Sequence, residues 1–277
     1  MTNKLPNKQG SLRLPKSNTP YYGQSVGIIM LDMSTMTGGA AVTAGQATAL
    51  EGFTRVPGDV GNASSFGFSV QYKMIKGITT NDVINANPSD KGTEVIVQAA
   101  LELEQEGVRA IATTCGLFSI FQTVMAEAVE IPVFSSALLQ VPMVSHLIGK
   151  HRKVGIITAN SDILTEAHLT AVGIDDSIPH VMWGIQDRPP EESFWVWDEI
   201  DPHKRTRKLE ERLALTARKM REQHPDIGAI VLECTNIPPG SHAIQQATGL
   251  PVYDVITMIK WAHLGVVQQR YIDNGYM

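Results

Sequence analysis

Val26-Gly27-Ile28-Ile29 returns 128 residues later as Val154-Gly155-Ile156-Ile157. Ala110-Ile111, followed by Cys115, returns 119 residues later as Ala229-Ile230, followed by Cys234. The same step of 119 carries Ile131-Pro132-Val133 onto Leu250-Pro251-Val252. Order and spacing are kept across all three matches, so the chain reads as one unit written twice. Each copy runs strand, helix-bearing segment, long helix, strand, cysteine, short helix and X-Pro-Val strand.

Apolar β-branched runs of strand length that alternate with helical patterns are the signature of βαβ units around a parallel sheet. Strands are predicted at Val26–Leu31, Ala110–Thr113, Val154–Thr158 and Ala229–Leu232. Helices are predicted at Thr93–Glu106, Leu117–Val129, Ser161–Val172 and Thr206–Gln223. The fold class is α/β: two pseudo-symmetric lobes with parallel sheets flanked by helices, and an active site in the cleft between them. Lobe 1 comprises 21–134 plus 254–277 and carries Cys115. Lobe 2 comprises 135–253 and carries Cys234. Residues 1–20 read as a flexible arm.

Composition agrees with two packed cores and excludes several functions. Apolar residues form 43% of the 277-residue chain, and charged residues 18%. A net charge of −5 leaves no basic footprint for nucleic acid. No run approaches the 18 or so uninterrupted apolar residues of a membrane span. Lys4, Lys8, Arg13 and Lys16 lie among Pro, Asn and Ser without an apolar stretch, so no secretory signal is expected and the setting is cytoplasmic. Two cysteines in a reducing compartment argue for thiols rather than a disulfide.

Both cysteines follow a buried strand directly, at the turn into a helix, where ligands of open parallel sheets bind. Cys115 stands in Thr113-Thr114-Cys115-Gly116, and Cys234 in Glu233-Cys234-Thr235-Asn236. Free N–H groups at a helix start lower a thiol pKa and can hold a carboxylate. A buried cysteine acting as a small hydrophobe is the bland alternative. Two cysteines at matched points of a repeat favour chemistry.

At these residues the sequence resembles the aspartate/glutamate/hydantoin racemase superfamily, over roughly residues 22–270. Cys234-Thr235 matches the core of the second cysteine motif of glutamate racemases, whereas Gly116 replaces the Asn that follows their first cysteine. Pro57-Gly58-Asp59-Val60-Gly61-Asn62 is similar to a segment of an uncharacterised branch of that superfamily. Leu31-Asp32-Met33-Ser34 keeps only the acid of the Asp-Ser-Gly loop of glutamate racemases, and Asn236 replaces their histidine.

The resemblance implies two thiols on opposite faces of a substrate carbon, one as thiolate base and one as thiol acid. The activity implied is a cofactor-independent racemase or epimerase, an isomerase working without pyridoxal phosphate on an amino acid or related small carboxylate. The assembly implied is a dimer or larger homo-oligomer. Candidate substrate contacts are Asp32, Asp59, Asn62, Thr114, Gly116, Thr158, Asn160, Thr235 and Asn236. Capping or turn formation is the competing role for Thr158, Asn160 and Asp32, and Pro57 to Asn62 also reads as a plain turn. Phe194-Trp195-Val196-Trp197 reads as a cover for the cleft or for a partner surface, or as a satellite core. No metal motif and no Gly-rich phosphate loop is present. Maleate cis–trans isomerisation and non-catalytic small-molecule binding remain as alternatives. Arylmalonate decarboxylation is disfavoured, because those relatives lack one of the paired cysteines.

Overall fold

The computed structural model describes residues 23–31, 56–76, 89–188 and 201–269. The N-terminal arm, Asp32 and the Trp195/Trp197 segment lie outside the described residues. Eight strands form two four-stranded parallel sheets among the described residues. The first sheet holds β1 (Val26–Leu31), β2 (Val70–Ile75), β3 (Ala110–Thr113) and β4 (Val133–Phe134), in the order β2-β1-β3-β4. The second holds β5 (Lys153–Thr158), β6 (His180–Gly184), β7 (Ile227–Leu232) and β8 (Val252–Tyr253), in the order β6-β5-β7-β8.

The duplication reaches the hydrogen-bond register. Val26 pairs with Ala110 and Gly27 with Ile111, while Val154 pairs with Ala229 and Gly155 with Ile230. Ile111 pairs with Val133, and Ile230 with Val252. Each of these pairings in the first sheet is carried into the second by the same steps of 128 and 119 that relate the sequences.

Helices complete the layers: α1 (Asp90–Gln105), α2 (Gln122–Ala128), α3 (Gln140–Ile148), α4 (Glu166–Thr170), α5 (Pro202–Gln223), α6 (Ser241–Thr248) and α7 (Val255–Val266). Buried parallel strands must be apolar on both faces. Accordingly Ile29 and Leu31 pack with Ile96, Leu103 and Met125 of α1 and α2. Val26 and Ile28 point the other way, onto Val255, Met258 and Ile259 of α7. In the second sheet Ile157 and Ile230 meet Leu209, Leu213 and Met220 of α5, while Val154 and Ile156 meet Val141 and Val144 of α3.

The long helix of each half packs closely against the glycine of β1 or β5. A Cβ on Gly27 would meet Leu103 Cδ2 at 2.8 Å, and one on Gly155 would meet Met220 Sδ at 3.1 Å. The recurring glycine thus has the same kind of packing partner in both halves, a side chain of the long helix.

Two expected helices are broken. Leu117–Val129 is a 3₁₀ segment Gly116–Phe121 followed by α2, and Ser161–Val172 is a 3₁₀ turn Ser161–Ile163 followed by the short α4. Both breaks fall at the strand ends, where the chain turns tightly before the helix proper. No helix among the described residues is long and apolar enough to cross a membrane.

Candidate active site

Cys115 and Cys234 each occupy the second position after a strand ends, β3 and β7 respectively. The hinge of each turn is fixed by one further ladder bond. Thr114 N–H donates to Ile29 O at 2.9 Å, and Glu233 N–H donates to Ile157 O at 2.9 Å. Thr114 and Glu233 are therefore equivalent in the repeat, and so are the two cysteines after them.

The two turns touch. Thr235 Oγ1 donates to Thr114 O at 2.6 Å, from the residue after one cysteine to the residue before the other. Gly116 lies against Glu233 so closely that a Cβ there would run into Glu233 Oε1 and its carbonyl oxygen. The loop from Pro57 to Asn62 meets the same region, because a Cβ on Gly58 would lie 2.9 Å from Pro239 Cα. Asp59 of that loop is buried and its negative charge bears on Cys234.

Both sulfurs are free thiols, Cys234 buried and Cys115 partly so. Burial pushes the Cys115 thiol up to about 12, and the Glu233 carboxylate pushes in the same direction. The N–H groups of Leu117 and Phe118 pull it down by less. Cys234 is raised by burial first and by Glu233 second, with the Asn236 N–H opposing and smaller contributions from Cys115 and Asp59. Helix-start N–H groups thus favour the thiolates as expected, but desolvation and a buried carboxylate overcome them. The expected lowering of the thiol pKa is corrected on this point: both thiols are raised.

Glu233 is the residue that motif reading passed over. It is 3% exposed, and Thr158 Oγ1 donates to its Oε2 at 2.7 Å. Burial holds its carboxyl up at about 7, with the Thr158 hydrogen bond opposing. A signal was present in the sequence: a charged residue closing a wholly apolar strand, where the matching position of the first copy is Thr114.

The remaining candidates divide by what they touch. Thr114, Gly116, Thr158 and Thr235 converge on the junction, where Thr114 Oγ1 also accepts from Leu31 N–H at 3.2 Å. Asn236 brings its N–H to Cys234. Asn160 caps the turn Ser161–Ile163 by accepting from Asp162 N–H at 2.8 Å. Asn62 likewise caps Ala63–Ser65, and Asp59 accepts from Gly61 N–H at 2.7 Å within its own turn. Among the described residues no three His, Cys, Asp or Glu side chains gather as a metal site would need.

The sequence profile of the Asp/Glu/hydantoin racemase family matches residues 80–262. The chain belongs to this family. Both cysteine turns and all the strands from β3 to β8 lie inside the match. The fold is shared with unliganded arylmalonate decarboxylase, at a TM-score of 0.54 and 16% identity over 92% of this chain and 97% of that one. Allantoin racemase from Pseudomonas fluorescens gives a TM-score of 0.55 and 16% identity over 86% and 89%.

Curated relatives carry a different activity in their names. A dimethylsulfoniopropionate lyase of Durusdinium sp. clade D is 34% identical over 206 residues, covering 73% of this chain and 67% of that protein. Dimethylsulfoniopropionate lyase 7 of Emiliania huxleyi is 30% identical over 204 residues, covering 72% of this chain and 60% of its own length. Proteins named as racemases, a decarboxylase and lyases thus share this sequence or this fold, and membership alone does not select the reaction.

Proposed function

We propose that the chain is a carbanion-forming enzyme that removes the proton α to a small carboxylate with a cysteine thiolate, and that its reaction is β-elimination from dimethylsulfoniopropionate. The observation that carries the reading is the meeting of the two cysteine turns at one seam, beside a buried carboxyl group. Relatives at 30% identity and above, named as dimethylsulfoniopropionate lyases, support the choice of substrate.

The proposed step balances simply. A thiolate takes a proton from the carbon next to the carboxylate, and the C–H electrons form the carbon–carbon double bond. The C–S bond to the sulfonium breaks, so dimethyl sulfide leaves and acrylate remains. The proton ends on the thiol. Racemisation shares the proton removal and differs in the fate of the carbanion, which must be reprotonated where no β-leaving group is present. Stabilising the developing negative charge is the hard part in both cases, and turn N–H groups such as those beside Cys115 are suited to it.

A second reading, racemisation of an amino acid or related carboxylate, is favoured by the repeat itself. Two thiols on equivalent turns suit a reaction whose product mirrors its substrate. The twofold is broken, however, where Glu233 answers to Thr114, and an asymmetric site suits an elimination better. The test is incubation in deuterated water with dimethylsulfoniopropionate, single-enantiomer amino acids, hydantoins and maleate. Equal release of dimethyl sulfide and acrylate is expected. Exchange of an amino-acid α-proton without any dimethyl sulfide would replace this reading with the second, and maleate conversion would replace both.

A further inference from the structure

Glu233 is a buried acid set among acids. It directly precedes Cys234 in its own turn, and its charge bears on that thiol. Its carboxyl lies against Gly116, the residue after Cys115, and its charge bears on that thiol too, while Thr158 at the end of β5 donates to it. Asp59, on the loop before Ala63–Ser65, adds a further negative charge near Cys234. The forces acting on Glu233 are desolvation and the Thr158 hydroxyl, and among the described residues no cation acts on it or on either thiol.

The repeat shows that this acid is an addition rather than scaffolding. The matching position of the first copy is Thr114, which closes its turn with the same ladder bond to the neighbouring strand. A fold that closes equally well with threonine does not need a carboxyl group there. Burying one costs free energy unless the charge is used or neutralised.

We propose that Glu233 is the charge partner of the thiol pair: Glu233 and the two thiols share one negative charge, which passes from the Glu233 carboxylate to a cysteine when that cysteine gives up its Sγ–H proton and Glu233 takes one up. The inference rests on the thiol reading given above. In the transfer an S–H bond breaks and an O–H bond forms, so the net charge of the cluster is unchanged. Glu233 thereby acts as a positioning residue, setting through charge how readily Cys115 or Cys234 becomes a thiolate. Neutral Glu233 also withdraws the repulsion that its carboxylate exerts on both sulfurs.

Coupling of this kind has a form that a purely structural acid lacks. While Glu233 is protonated, the thiolate fraction rises about tenfold per pH unit. Above about 7 the proton comes off Glu233 instead, and the thiolate form becomes a constant share of the singly ionised junction. The logarithm of thiol reactivity against pH must therefore climb, bend near 7 and flatten.

The experiment is alkylation of the full chain by iodoacetamide between about pH 5 and 9, a range set by roughly two pH units either side of that bend, with Cys115 and Cys234 resolved by peptide mass spectrometry. Wild type is expected to bend near 7. Glu233→Gln is expected to lose the bend and to react about a hundredfold faster at about pH 9, two pH units beyond it. Thr158→Val keeps the acid but removes its hydrogen-bond donor, and is expected to move the bend to higher pH. Superimposable profiles for wild type and Glu233→Gln would overturn the proposal. Should Glu233→Gln fail to fold, an unmoved bend in Thr158→Val overturns it equally. Neither readout involves a substrate, so a failure to turn over dimethylsulfoniopropionate would leave this result standing, and the reverse also holds.

Discussion

Thr235 Oγ1 reaches Thr114 O across 2.6 Å, joining the residue after Cys234 to the residue before Cys115. Both threonines are buried, so water cannot replace the bond if it is lost. The bond ties the turn after β3 to the turn after β7 and so fixes the two cysteine turns relative to each other. A thiol pair works on one carbon atom only if its spacing is held, and small misplacements at such sites are costly.

Removing that hydroxyl tests the seam. Thr235→Val keeps the shape of the side chain and leaves the Thr114 carbonyl without this donor, a loss of about 1–3 kcal/mol. Urea denaturation is expected to report that loss. Turnover is expected to fall by more than the fraction of unfolded protein explains, because the cysteine turns lose their tie.

Gly116→Ala strikes the same seam from the other side. The new Cβ would collide with the Glu233 carboxylate oxygen and with its backbone carbonyl, which cannot rotate aside. Overpacking of this kind costs about 1–3 kcal/mol. The expected outcome is a folded protein of lowered melting temperature whose activity is lost, measured by thermal denaturation beside a turnover assay. Wild-type activity in this variant would show that the junction is looser than the close packing of Gly116 on Glu233 implies.

Glu233 gives stability a direction with pH. Its folded value of about 7 lies above the ordinary 4.5, because burial disfavours the charged form. The protonated carboxyl is therefore favoured by folding. Its contribution is complete below about pH 4.5 and is lost as pH rises through 7. The loss amounts to about 3 kcal/mol, the free-energy equivalent of the gap between those two values. Glu233→Gln is expected to flatten this descent in urea midpoints measured between about pH 5 and 8. A variant that keeps the wild-type slope would assign the descent to other groups.

The scaffold was legible in the sequence because its period is written in apolar residues. Val26–Leu31 and Ala110–Thr113 are observed with the expected bounds, and the repeat steps hold down to individual strand pairs. The edge strands β2 and β6 escaped, because Val-Gln-Tyr-Lys-Met-Ile and His-Val-Met-Trp-Gly are half-buried and lack a continuous apolar run.

The position of the cysteines at strand ends was equally plain, whereas their electrostatics were not. Motif reading sees the turn N–H groups near a thiol. It does not see desolvation, nor that the carboxyl before Cys234 also comes to lie beside the Cys115 turn, against Gly116. Thr158 illustrates the same limit. Its hydroxyl was open to capping or to a substrate, and the fold gives it to Glu233.

The central claim is that a thiol at this junction removes the proton next to a carboxylate. Dimethyl sulfide released from dimethylsulfoniopropionate, measured in the headspace for wild type, Cys115→Ser, Cys234→Ser and the double variant, tests it most directly. The account predicts release by wild type together with equal acrylate. It predicts a loss of at least about a hundredfold when serine replaces the cysteine that acts as base, and no release by the double variant. Release at the wild-type rate from both single variants and from the double variant would contradict it.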